Sequence, residues 1–197
     1  MTAHHVLFLL GRLTRGERVL IHAAAGGVGT IAVQLAKRAG AIVVASASAA
    51  KHALLRELGA DFVVDSRGDV LRQVKASVGE VDLVLEMIGG TDSYKRSLAA
   101  LRARGRMVVF GAASGDTRGT FEPIGLMGKN LSIMGYHLEP FLSERELCAP
   151  ALREITELAA AGALRVVLGG TYSMTEAAAA FTALGSRSTS GKLILKP

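Results

Sequence analysis

The six residues Ala24-Ala25-Gly26-Gly27-Val28-Gly29 carry the clearest chemistry in the sequence. They follow the apolar run Arg18 to Ala23. They open a stretch, Gly27 to Ala39, whose Val28, Ile31, Ala32, Leu35 and Ala39 share one helical face. A strand, a glycine turn and a helix in this order form a G-x-G-x-x-G dinucleotide fingerprint, here with Ala24 in the first place. Gly26 lets the backbone approach a pyrophosphate, and Gly29 lets the helix pack closely on the strand. The unpaired N–H groups at the helix start, with its dipole, attract phosphate.

The end of the second strand bears on which dinucleotide would bind. An NAD site keeps an acidic residue there for the ribose 2′-hydroxyl. Here the run Ala41 to Ser46 leads into Ser46-Ala47-Ser48 with no carboxylate. Lys51 follows, and Arg67 comes after the third strand, beside the end of the second. Hydroxyls and cations suit a 2′-phosphate, which points to NADPH/NADP. Glu86 ends the fourth strand facing the crevice, as a ribose binder or a general base. Ser114 and Ser190 lack a nucleophile-elbow context.

No metal site is expected. Cys148 is the one cysteine, which excludes a disulfide within the chain and any multi-cysteine zinc site. It also points to a reducing, cytoplasmic setting. His4 and His5 are neighbours on a helix and diverge by about 100°, unsuited to chelating one ion. His22 lies in the first strand as a buried, hydrogen-bonded residue.

These residues are positioned by a repeated strand–helix pattern. Apolar runs at Arg18–Ala23, Ala41–Ser46, Asp61–Asp65, Val81–Ile88, Arg106–Phe110 and Leu131–Tyr136 read as six strands. Helices read at Gly27–Ala39, Ala49–Leu58, Asp69–Val78, Asp92–Leu101 and Ser143–Ala161, several stopped by glycine. Strands that are continuously apolar are buried on both faces. The fold class is therefore α/β, a doubly wound parallel (Rossmann) sheet, with its ligand crevice at the carboxyl ends of the strands. Residues 1–162 are assigned to this dinucleotide-binding domain. Residues 163–197, with short strands near Leu164–Leu168 and Leu193–Lys196 around a helix at Thr175–Leu184, read as a short C-terminal piece of a second domain.

Composition narrows the function. Half of the 197 residues are hydrophobic (50%), which suits a packed core and argues against disorder. The excess of 23 basic over 17 acidic residues, +6, favours anionic ligands. The cations are scattered and aromatics are only 5%, which argues against a nucleic-acid partner. The early apolar run Val6 to Leu10 is too short to span a membrane.

The segments HAAAGGVG, VQLAKRAGA, LRELGAD, EMIGG and GRMVVFGAASG together resemble the zinc-independent quinone oxidoreductases, the zeta-crystallin-like branch of the medium-chain dehydrogenase/reductase superfamily. Thr2-Ala3-His4-His5 resembles the family's helix before the cofactor domain. Ser190-Gly191-Lys192-Leu193-Ile194 resembles its last strand. The resemblance covers essentially the whole chain, but the family's N-terminal substrate domain has no counterpart, so a fragment, an excised domain or a truncated relative is expected.

The resemblance implies particular roles. Gly26, Gly27 and Val28 would meet the pyrophosphate, and Ser46 and Lys51 the 2′-phosphate. Ser66 stands where the family often has a Tyr near that phosphate. Ile88 and Gly89 would border the nicotinamide side. Phe110, Gly111 and Ser114 would approach the nicotinamide ribose and ring, and Thr2 the nicotinamide amide. Ala112 replaces a frequent Asn. The implied activity is an NADPH-dependent oxidoreductase acting on a small quinone or enone. A polyketide-synthase-type enoyl reductase domain and a non-catalytic NADPH-binding module are the alternatives. The former usually carries a Lys at the position of Ala112. The edge strand 131–136 would pair with its copy in a homodimer.

Overall fold

The computed structural model describes residues 1–197. Six parallel strands form one sheet: β1 (Arg18–Ile21), β2 (Ile42–Ala47), β3 (Phe62–Asp65), β4 (Val81–Glu86), β5 (Leu101–Val109) and β6 (Ser132–Gly135). Their order is β3-β2-β1-β4-β5-β6. The chain winds outward one way from β1 and then the other way from β4. The crevice beyond the carboxyl ends of β1 and β4 is the switch point where such sheets bind ligands.

Alternation along each strand explains why both faces are covered. Val19 and Ile21 of β1, Val43 and Ala45 of β2, and Leu83 and Leu85 of β4 enter one apolar cluster. Leu20, Val44 and Val84, between them, enter another on the opposite face. Every residue of β4 is buried. The first cluster is covered by α1 (Thr2–His4), the π-helical turn His5–Leu9 that continues it, and α2 (Gly29–Arg38). A 3-10 turn, Ala49–Lys51, leads into α3 (His52–Glu57), whose Leu55 joins the same cluster. The second cluster is covered by α4 (Val70–Val78) and α5 (Thr91–Ala100).

β5 begins at Leu101, five residues before the expected start at Arg106. Leu101 pairs with Val81, and the register then shifts before Leu83 meets Arg106. Arg104, at φ +62°, and Gly105 accommodate the irregularity. That bulge breaks the apolar pattern, which is why the sequence shows only the strand's second half.

After β6 come α6 (Leu138–Phe141) and α7 (Arg145–Ala160). Leu164 and Val167 still pack into the first core cluster. The part that leaves the main sheet starts at β7 (Leu168–Ser173), runs through α8 (Ala177–Gly185), and ends at β8 (Lys192–Lys196). β7 and β8 form a separate parallel pair. One bridge, Gly26 to Gly191, joins that pair to the glycine turn after β1.

Candidate functional site: the crevice at the carboxyl ends of the strands

The glycine turn has the geometry its residue types dictate. A Cβ on Gly29 would lie 2.5 Å from the carbonyl oxygen of Ala24, so α2 packs on the strand exit at a distance only glycine permits. Ala23 makes the turn at φ +46°. Gly26 N–H donates to the Ala23 carbonyl at 3.0 Å. The N–H groups of Val28 and Gly29 donate to no atom of the chain, while that of Gly27 faces the Gly191 carbonyl across the Gly26–Gly191 bridge. The two free groups lie at the start of a ten-residue helix, where orphan N–H groups bind anions. Lys192, from β8, lies over the same spot: a Cβ on Gly27 would sit 3.3 Å from its ammonium nitrogen. Two free donors and a cation thus lie at one turn.

The end of β2 differs from the expectation in one respect. Ser46 lies inside the strand, 1% exposed, and its carbonyl accepts the Ala24 N–H at 3.0 Å. The Ser46 side chain is thus covered, and its backbone anchors the glycine turn. The hydroxyl at the strand mouth is that of the half-buried Ser48. Lys51 stands beside it, held by the turn Ala49–Lys51. Its ammonium donates to the carbonyls of Arg187 (2.8 Å) and Thr189 (2.5 Å). Burial, and then the nearby Arg67 charge, hold the Lys51 pKa below the ordinary lysine value. Ser66 is exposed after β3, its N–H bonded to the Ala47 carbonyl at 3.0 Å.

On the other side of the switch point the turns after β4 and β5 are zipped together. Ala113 N–H donates to the Met87 carbonyl, and Ser114 N–H to the Ile88 carbonyl, both at 2.8 Å. Phe110 N–H donates to the Glu86 carbonyl at 3.0 Å, and Gly111 packs against Met87. Gly89 has φ +79°, and a Cβ there would come within 2.7 Å of the Asp116 carbonyl. Ile88, Gly89 and Ser114 line an open cleft of about 330 Å³ with Thr91, Arg96 and Asp116. Ile88, Gly89 and Ser114 thus share one wall, and Phe110 and Gly111 lie next to it against Glu86 and Met87.

Glu86 is not in that wall. It is 0% exposed, and its carboxylate accepts hydrogen bonds from Ile88 N–H (2.7 Å), Ser93 (2.9 Å) and Ser97 (2.5 Å). A group with no exposed surface and this set of partners is neither a ribose ligand nor a general base. His22 is buried as expected, with Nε2 at 3.0 Å from the Ser97 hydroxyl. Burial lowers its pKa; the Glu86 charge acts against this, and Arg96 adds to it.

Thr2 is half-buried in α1, near Tyr136 at the exit of β6. Burial raises the Tyr136 phenol, and the Thr2 hydroxyl partly opposes this. Tyr136 Oη is 3.1 Å from His5 Nδ1, whereas His4 Nε2 faces Glu154, also at 3.1 Å. The two adjacent histidines have separate partners, as their angular offset demands. No group of three or more His, Cys, Asp or Glu residues is placed to hold a metal ion. No helix is long and apolar enough to cross a membrane.

Residues 27–157 match the family model described as zinc-binding dehydrogenase. The chain belongs to the zinc-binding dehydrogenase family. It is 34% identical to a 2-haloacrylate reductase from Burkholderia sp, over 100% of this chain and 60% of that protein. It is 38% identical to the spectinabilin polyketide synthase protein NorB of Streptomyces orinoci, over 99% of this chain and 9% of that protein. The Escherichia coli quinone oxidoreductase, solved in complex with NADPH, superposes with a TM-score of 0.90 at 33% identity. That match covers 100% of this chain and 62% of that one. The chain spans about half the length of the first curated relatives it matches.

For this zinc-binding dehydrogenase family member, two site residues escape the sequence reading. Lys192 and Arg187 lie far from the glycine turn in sequence and reach the crevice only because the segment 187–192 crosses it. The Arg187 guanidinium donates to the Ala113 carbonyl at 2.7 Å, on the wall opposite Lys51. Gly191 N–H donates to the Ala25 carbonyl at 2.8 Å. The available signal was the Gly191-Lys192 pair ahead of the last apolar run. It places a cation one residue after a backbone position at φ +68° that crowds Val167.

Proposed function

We propose that this chain is the cofactor-binding portion of an NADPH-dependent oxidoreductase acting on a small quinone or activated enone. The observation that carries the reading is the meeting of the unpaired N–H groups of Val28 and Gly29 with the Lys192 ammonium at the glycine turn. That arrangement fits a pyrophosphate, and its place at the switch point fits a dinucleotide. Gly26, Gly27 and Val28 cradle the pyrophosphate. Ser48, Lys51 and Arg67 form the 2′-phosphate end, with Ser66 at its margin. Ile88, Gly89, Phe110, Gly111, Ser114 and Thr2 form the nicotinamide end. NADPH, when bound, supplies the hydride. The chain's own part is to orient the ring against the wall built by the β4 and β5 turns and to exclude water there.

The 38% identity to a polyketide synthase protein favours a second reading, an enoyl reductase domain of that type. Ala112 beside Gly111 offers no side-chain proton donor, which supports the quinone or simple enone reading over it. The outer strand β6, with exposed Ile124 and Met127 on the preceding 3-10 segment Pro123–Lys129, is the surface for a homodimer.

The test is a titration of the chain with NADPH and NADH by nicotinamide fluorescence, followed by NADPH oxidation with a benzoquinone and with an enoyl thioester. Tight NADPH binding with quinone turnover supports the first reading, and turnover of the thioester alone supports the second. NADPH binding with no turnover of either leaves a non-catalytic module. Absence of binding to both nucleotides refutes all three.

A further inference from the structure

The turn that builds the nicotinamide wall is held by one buried network. Glu86 Oε1 accepts the N–H of Ile88 at 2.7 Å and of Gly89 at 3.3 Å. Its Oε2 accepts the hydroxyls of Ser93 at 2.9 Å and Ser97 at 2.5 Å. Ser97 has one proton and gives it to Glu86. Its contact with His22 Nε2 is therefore one in which the imidazole N–H donates. His22 directly precedes the glycine turn, and its backbone N–H donates to the Leu85 carbonyl at 3.2 Å. One network thus spans from the exit of β1 to the exit of β4.

The need for it lies in the backbone. Gly89 and Gly90 have φ +79° and +85°, two consecutive glycines at positive φ with wide conformational freedom of their own. Here the successive N–H groups of Ile88 and Gly89 both donate to Glu86 Oε1, so the chain's own carboxylate holds the turn in place.

We propose that Glu86 is a positioning residue: it fixes Ile88 and Gly89 for the nicotinamide end of the cofactor and, through Ser97 and His22, ties that turn to the glycine turn holding the pyrophosphate. This rests on the NADPH reading above. It predicts that the two ends of the cofactor respond differently when the network is cut.

The experiment titrates the wild-type chain and Glu86→Gln with NADPH and with 2′,5′-ADP, which carries the adenosine phosphates and no nicotinamide. Glu86→Gln is expected to lose about tenfold in NADPH affinity while its 2′,5′-ADP affinity stays within about twofold. The fluorescence of the bound nicotinamide should move toward that of free NADPH. Equal losses for both ligands, as a general loosening of the fold would give, overturn the proposal, and so does no loss for either. If Glu86→Gln does not fold, Ser93→Ala removes one donor and keeps the carboxylate. It should show the same selectivity with a loss of about threefold, and it is judged by the same outcomes. A wild-type chain that binds neither ligand refutes the cofactor reading itself. A wild-type chain that binds both, with variants that lose neither, refutes only the positioning role.

Discussion

Lys51 Nζ lies 2.5 Å from the carbonyl oxygen of Thr189, so the cation placed for a 2′-phosphate is held by the chain's own C-terminal segment. A second carbonyl, that of Arg187, accepts another hydrogen bond from it. Neutral carbonyls are weaker partners for an ammonium than a phosphate dianion, whose charge-assisted bonds are roughly twice as strong. Under the proposed function, a 2′-phosphate would exchange partners with the segment. Lys51→Ala should weaken NADPH binding about tenfold and change NADH binding by no more than about twofold. Paired fluorescence titrations check this, and equal effects on both nucleotides would remove Lys51 from the phosphate site. Because Lys51 has a lowered pKa, raising the pH should erode NADPH preference before an ordinary lysine would lose its proton.

Lys192 makes the opposite prediction. It stands over Gly27, where NADPH and NADH carry the same pyrophosphate. Lys192→Ala should weaken both nucleotides by a similar factor, about fivefold, and flatten the dependence of affinity on salt. Isothermal calorimetry at low and high ionic strength measures this. A loss confined to NADPH would move Lys192 to the adenosine end.

The contrast between these two lysines shows what the sequence makes legible. Lys51 follows the second strand by a few residues, so local reading finds it. The glycine turn, the six-strand pattern and the apolar wall at Ile88 and Phe110 are likewise local patterns of strand, turn and helix. Lys192 and Arg187 become site residues only through a long-range crossing that no local periodicity encodes. The apolar run places Ser46 at the strand end, whereas β2 continues through Ala47 and the strand mouth falls at Ser48. Glu86 looked functional because carboxylates at strand ends face crevices. Its partners Ser93 and Ser97 sit one turn apart on α5, and nothing in the sequence announces that they turn inward.

Gly29 tests the close approach of α2 to the strand exit. A Cβ there meets the backbone of Ala24 at 2.5 to 2.6 Å, and backbone cannot rotate away. Gly29→Ala should destabilise the chain by about 3 kcal/mol and displace the free N–H groups of the glycine turn. Urea unfolding gives the first quantity and nucleotide titration the second. A variant with unchanged unfolding midpoint would mean the helix can slide outward freely.

His22 sets a pH dependence whose sign follows from burial. Its folded pKa is below the ordinary value of 6.5, chiefly because burial disfavours the imidazolium. Glu86 works against this and Arg96 with it. His5 is lowered as well, burial again being the largest cause. Between the ordinary value and the lowered one, the unfolded chain takes up protons that the folded chain does not. Stability is then level above about pH 6.5 and declines as pH falls below it. The slope approaches about 1.4 kcal/mol per pH unit for each such histidine. His22→Gln keeps a side-chain N–H able to donate to Ser97 and removes the titration. Its urea midpoint should therefore fall less than that of the wild type between about pH 7 and about pH 5.5. The same decline in both proteins would assign the acid sensitivity to His5 and the carboxylates instead.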